Sequence, residues 1–114
     1  LTWNRNTPRL DRLLANYRTP TLKKLDLFGC NVESVDFTRF QQLEVIYLSG
    51  ARNLTQAQIN QLSPTLKKLN LSFCNVAGFD FSRFTQLEEI DLLDAQNLTP
   101  AQRAQLPATC SVIG

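Results

Sequence analysis

The residues with the most chemical capacity in this chain are three cysteines, Cys30, Cys74 and Cys110, and the acids Glu88, Glu89, Asp91 and Asp94. There is no histidine, which removes the usual Cys/His zinc sites, the triads that need an imidazole base, and histidine pH switches. Cys30 and Cys74 occupy the same place in two matching stretches, TLKKLDLFGCNV (Thr21 to Val32) and TLKKLNLSFCNV (Thr65 to Val76). Stacked two strands apart, their Cα atoms lie roughly 10 Å from each other, beyond the roughly 4.4–6.8 Å that a disulfide spans. Both are therefore expected to be reduced, buried thiols that pack as small hydrophobes. Cys110 reads as a cap residue or a reactive thiol, with no base or cation beside it in sequence to activate it. Strand alternation divides the acids, leaving Glu89 and Asp91 on one face without a glycine loop, which suits a solvated acidic surface better than a calcium site. No catalytic, metal or cofactor site is expected.

These residues are positioned by a duplication. Residues 21–64 align without a gap on residues 65–108, with more than half of the positions identical, so the second block repeats the architecture of the first. Each block divides again. The frame Leu22, Leu25, Leu27 recurs as Leu43, Ile46, Leu48, as Leu66, Leu69, Leu71 and as Leu87, Ile90, Leu92, giving four short repeats at 21–42, 43–64, 65–86 and 87–108. Within a frame, Leu25 and Leu27 alternate with Lys24, Asp26 and Phe28, the period of a strand with one buried face. One such strand cannot bury that face alone, whereas stacked copies lay leucine on leucine in ladders.

LKKLDLFGCNV and LKKLNLSFCNV match the pattern L-x-x-L-x-L-x-x-N/C-x-L, and the chain resembles the leucine-rich repeat family over residues 21–108. The intervening copies, LEVIYLSGARNLTQAQINQL and LEEIDLLDAQNLTPAQRAQL, are most similar to its cysteine-containing subclass, with Ala51 and Ala95 where that subclass has cysteine and Gln56 and Pro100 where it has aspartate. The resemblance implies an α/β, right-handed leucine-rich-repeat solenoid with a parallel concave sheet and a convex wall of short helices and irregular turns. It also implies a non-catalytic module that binds a protein partner on the concave sheet. Two other classes of function stay open: the substrate-recognition part of a larger enzyme, such as a ubiquitin ligase or a bacterial effector delivered to a host cell, and a structural spacer.

The flanking and convex segments fit one domain, 1–114. Thr7-Pro8 is an N-cap followed by proline at the first helical position, and Leu10, Leu13, Leu14 and Tyr17 form one apolar stripe. Residues 1–20 thus read as an N-terminal helical cap, with a helix over 7–18 and Trp3 either as extra cover or as an anchor for a partner. The chain begins at Leu1 with no charged and apolar leader, as a processed protein or an excised fragment would. The segments after Val32 and Val76 turn Val35, Phe37, Phe40 and Phe79, Phe81, Phe84 inward. Six of the seven phenylalanines lie in these segments or just before them, as a packed spine requires. Thr55-Gln56-Ala57-Gln58 and Thr99-Pro100-Ala101-Gln102 are T-x-x-Q capping boxes, predicting helices over 56–62 and 100–106. PATCSVIG reads as a truncated strand over 109–114 that closes the C-terminal edge, with Cys110 and Ile113 where Leu66 and Leu69 would be.

The net charge of +2 is too small to imply a nucleic acid or a lipid surface as partner, and no apolar run approaches the roughly 18 residues of a membrane span. Asn53, Asn70 and Asn97 begin formal glycosylation sequons. Two of these arise from the repeat pattern, Pro100 follows the last, and the even cysteine framework of secreted domains is missing, which favours the cytoplasm or another reducing compartment. The outward positions form three rows across the strands: Lys24, Val45, Lys68, Glu89; then Asp26, Tyr47, Asn70, Asp91; then Phe28, Ser49, Ser72, Leu93. Lys68 faces Glu89 as an exposed ion pair. Phe28, Val45 and Tyr47 are large apolar side chains on a face that solvation alone would fill with polar ones. With Asp26, Asn70, Asp91 and Leu93 they are the expected partner-binding residues. The bland alternative has Phe28 covered by a terminal segment and Tyr47 an ordinary strand residue.

Overall fold

The structure, a computed structural model, describes residues 21–33 and 35–114. The predicted helix over 7–18 and Trp3 lie outside the described residues. Five short strands, β1 (Lys24–Asp26), β2 (Val45–Tyr47), β3 (Lys68–Asn70), β4 (Glu89–Asp91) and β5 (Ser111–Ile113), form one sheet in sequence order. Every neighbouring pair is parallel, and the register joins equivalent residues: Leu25 to Ile46, Ile46 to Leu69, Leu69 to Ile90 and Ile90 to Val112. Each rung therefore repeats the one before it, which is the solenoid that the leucine frames predict.

The frames supply the core. Leu25, Leu27, Ile46, Leu48, Leu69, Leu71, Ile90 and Leu92 are all buried. Behind them lie Phe37, Phe40, Phe79, Phe81 and Phe84, equally buried, with the Phe37 and Phe40 rings tilted against each other at 6.3 Å. The spine holds five phenylalanines and not six, because Phe73 is 57% exposed.

The convex wall alternates as expected. A single 3-10 turn, Phe37–Arg39, follows the first strand. Asp36 caps it, accepting from the amide and hydroxyl of Thr38, and Asp80 does the same with Ser82 in the second block. Those side-chain and backbone hydrogen bonds hold both carboxyls below the usual aspartate range. A depressed folded-state value means that their small contribution is present above the unfolded pKa and fades as pH falls through the folded one. The other two rungs carry helices α1 (Gln56–Ile59) and α2 (Pro100–Ala104), each opened by a complete capping box from Thr55 or Thr99. Both are shorter than the capping signals suggest. After α1 the bonds Gln61 N to Gln58 O and Leu62 N to Ile59 O span three residues, as do Gln105 N to Gln102 O and Leu106 N to Arg103 O after α2. The last turn tightens and the chain leaves the helix there.

The capping glutamines also reach outside their helices. Gln58 Nε2 donates to the carbonyls of Val32 and Val35 on the preceding rung, and Gln102 Nε2 donates to those of Val76 (2.8 Å) and Phe79 (3.0 Å). Gln61 and Gln105 accept from the amides of Phe37 and Phe81. The irregular turn of one rung has no ladder for its backbone groups, and the helix of the next rung satisfies them.

The C-terminal strand departs from expectation by one residue. Glu89 pairs with Ser111 and Ile90 with Val112, so Val112, and not Ile113, continues the Leu69 ladder, and Cys110 stands one position after the Leu66 equivalent. A slip of one residue exchanges the two faces, placing Ile113 on the concave side. This strand pairs with β4 as the last of the sheet, and all three of its residues are exposed, with Val112 at 38% and Ile113 at 41%.

Candidate functional site

The concave face carries two of the three predicted rows in register, since Lys24, Val45, Lys68, Glu89 and Ser111 pair along one line and Asp26, Tyr47, Asn70, Asp91 and Ile113 along the next. Val45 and Tyr47 are half-buried, and the Lys24 ammonium lies 5.2 Å from the centre of the Tyr47 ring, a cation–π contact that fixes the ring against β1. Lys68 meets Glu89 at 3.9 Å. On the row before, Glu44 stands between Lys23 (3.5 Å) and Lys67 (3.9 Å), so the paired lysines are interleaved with acid and make no basic stripe. Tyr47, Lys68, Asn70, Glu89, Asp91 and Ile113 line an open concavity of about 230 Å³.

Asp26 and Asp91 each accept, through Oδ1, the amide two residues on, from Phe28 and Leu93 respectively, both at 3.0 Å. Asn70 does the same for Ser72 at 2.9 Å. These bonds turn the chain out of each strand. The third row then divides. Phe28 and Leu93 are exposed, at 60% and 46%, whereas Ser49 and Ser72, expected to face outward, are buried. Their hydroxyls bond each other at 2.7 Å, and the Ser72 hydroxyl also meets Asn70 Oδ1. A short hydroxyl side chain can satisfy itself under the turn where phenylalanine or leucine must stand out from it. All seven predicted partner-binding residues thus lie on the concave side or its rim, with Phe28 and Leu93 the most exposed. The reading of the sequence missed Phe73 and Ile113, both exposed beside that set.

Chemistry of other kinds has little support among the described residues. No group of three or more His, Cys, Asp or Glu side chains is placed to hold a metal ion, and no helix is long and apolar enough to cross a membrane. The three cysteines are free. Cys74 Sγ donates to the Leu48 carbonyl at 3.0 Å. Burial pushes all three thiols up, aided by the Asp26 charge at Cys30 and the Glu89 charge at Cys110. Since only the thiolate reacts, native protein treated with a maleimide will label Cys110, which is half-buried, before Cys30 and Cys74, which are 2% exposed. All three will label at similar rates in urea. Mass spectrometry of timed digests checks this, and fast native labelling of Cys30 would remove it from the position given it here.

A family model described as Leucine Rich repeat matches residues 19–36 and 62–78, the two segments that carry β1 and β3, each with the turn that follows it. No curated protein and no solved structure matches the chain. With the leucine ladders, the parallel sheet and the register of equivalent residues, the match shows that the chain carries leucine-rich repeats. Domains of this family generally mediate protein–protein interaction and are typically non-catalytic.

Proposed function

We propose that this chain is a non-catalytic module that binds a protein partner on its concave sheet. The reading rests most on the concave side of β1 and β2, where Phe28 stands exposed beside the half-buried Val45 and Tyr47 in a domain whose core is already filled. Apolar surface of this kind gains about 25 cal/mol for each Å² that a partner covers. Around it, Asp26, Asn70 and Asp91 offer polar contacts that set specificity, and Leu93 extends the apolar contact on the fourth rung. Three free thiols suit a reducing compartment such as the cytoplasm.

The test separates binding from folding. The partner is recovered by affinity capture from native cytosol, and the double variant Phe28→Ser/Tyr47→Ser is compared with the parent. The thermal midpoint should stay within a few degrees, because neither side chain belongs to the ladders. Affinity should fall by at least about tenfold, since aromatic anchors dominate interface energies. A variant that melts far lower would make these side chains part of the core and take the concave face out of consideration.

A further inference from the structure

Every rung leaves its strand through one residue with left-handed backbone: Gly29 (φ 67°), Gly50 (φ 65°), Phe73 (φ 61°) and Asp94 (φ 54°). That conformation brings the β-carbon against the backbone and suits glycine, or a short polar residue that bonds locally. Phenylalanine is among the residues that it suits least. The ring gains nothing from the core in exchange, being 57% exposed. On the neighbouring rung, which receives the Phe73 amide through the Leu93 carbonyl at 3.0 Å, Leu93 is exposed as well, and Phe28 is exposed on the first. On rung 2 the equivalent of Phe73 is Gly50, where an added β-carbon would meet only the Cα of Gly29, at 4.0 Å. Open space therefore lies over the backbone beside the Phe73 position.

Within the rows of this strip the charges are of one sign. The rows headed by Asp26, Phe28 and Gly29 contain Asp26, Asp91 and Asp94 and not one lysine or arginine, on a chain whose net charge is +2. The lysines of the concave side lie upstream, with Lys24 over the Tyr47 ring, Lys23 and Lys67 on Glu44 and Lys68 on Glu89, and Arg52 lies downstream near Cys30. Asp26 and Asp91 spend one oxygen each on the amides of Phe28 and Leu93, and so hold a negative charge beside an exposed apolar side chain.

We infer that Phe28, Phe73 and Leu93 form a docking strip along the rim of the sheet for a protein segment that presents a large apolar side chain flanked by lysine or arginine. This rests on the concave side being the interaction face, and it names the chemistry of the partner. The apolar side chain lies beside the Phe73 ring over the bare backbone of rung 2, and the cations meet Asp26 and Asp91. The same carboxylates repel an anionic lipid surface.

The test uses the full chain and a phage-displayed library of linear random peptides. Panning should enrich peptides that combine Trp, Phe or Leu with Lys or Arg. Titration of an enriched peptide, followed by fluorescence anisotropy, should show binding weakened at least about tenfold in Phe73→Gly. The same variant should melt a few degrees higher, because glycine relieves the left-handed strain. Asp91→Asn keeps the acceptor for the Leu93 amide and removes the charge, so it should weaken binding without lowering the midpoint. Raising salt from about 50 to about 500 mM should weaken the parent's binding too. The inference fails if Phe73→Gly melts lower, if enriched peptides lack basic residues, if none is enriched, or if they bind Phe73→Gly as tightly as the parent. It fails equally if Phe73→Gly abolishes a concentration-dependent dimer in sedimentation, or binding to phosphatidylserine vesicles, since a second copy or a lipid would then be the occupant. Peptides lost by Tyr47→Ser but kept by Phe73→Gly overturn the strip and leave the concave reading standing, whereas peptides kept by both overturn the two together.

Discussion

Truncating Leu69 to alanine will destabilise the domain by about 2–5 kcal/mol, a large part of what a domain of this size has to spare. Leu69 is 2% exposed, lies between Ile46 and Ile90 in the central ladder, and has the sheet continuing on both sides. No rearrangement can collapse into the gap without breaking the register of both neighbouring strands, so the lost side chain leaves a cavity. Urea denaturation followed by circular dichroism measures the loss as a lower midpoint at an unchanged slope. Val112→Ala supplies the contrast. It occupies the same ladder one rung beyond Ile90, at 38% exposure, and its truncation should cost under about 1 kcal/mol. Equal effects at the two positions would mean that the ladder is not the source of cohesion.

The second large effect belongs to a polar residue. Gln102 is buried, receives the Thr99 amide at 2.9 Å, and donates to the carbonyls of Val76 and Phe79. Replacement by alanine strands the buried Phe79 carbonyl and the part-buried Thr99 amide, at about 1–3 kcal/mol for each group left without a partner, and leaves the Val76 carbonyl with the Phe79 amide alone. Allowing for local relaxation, we expect a total loss of about 3 kcal/mol. Gln102→Glu discriminates between packing and hydrogen bonding. It conserves volume and the acceptor for Thr99, but turns a carboxylate oxygen toward two carbonyls, so it should be at least as damaging as alanine. Gln58 makes the same bonds one block earlier, and its variants should behave alike. A harmless Gln102→Glu in thermal denaturation would reduce the residue to a helix cap.

The ladders were legible in the sequence because burial on one face of a strand leaves a period of two, and duplication prints that period four times. The two helices were legible for a local reason, since a capping box is a contact within four residues. What the sequence did not disclose is mostly non-local. The reach of Gln58 and Gln102 to the preceding rung is invisible in T-x-x-Q, which accounts for each glutamine through its own helix. In PATCSVIG either Cys110 with Ile113 or Val112 alone can be laid on the ladder, and only the pairing of Ser111 with Glu89 decides. Ser49 and Ser72 carry no hydropathy signal that tells an outward hydroxyl from one tucked against its neighbour. Phe73 is the instructive miss. Its type suggested core, but its place in the repeat, aligned with Gly29 and Gly50, is a left-handed turn that points out of the fold. That alignment was available from the sequence and outweighs residue type.

The glutamine bridges also bear on how such a chain changes length over generations. Each bridge joins an irregular turn to the helix that follows it, so the glutamine bridges fall within residues 21–64 and within 65–108, two matching pairs that end on the same seam. Unequal crossing-over between the two copies deletes or adds a whole pair, and every turn still meets a helix. Loss of a single rung sets turn beside turn or helix beside helix, and leaves a carbonyl such as that of Val35 without the glutamine that bonds it. Heredity can therefore lengthen or shorten this molecule two strands at a time, and single-strand steps are the ones that selection removes.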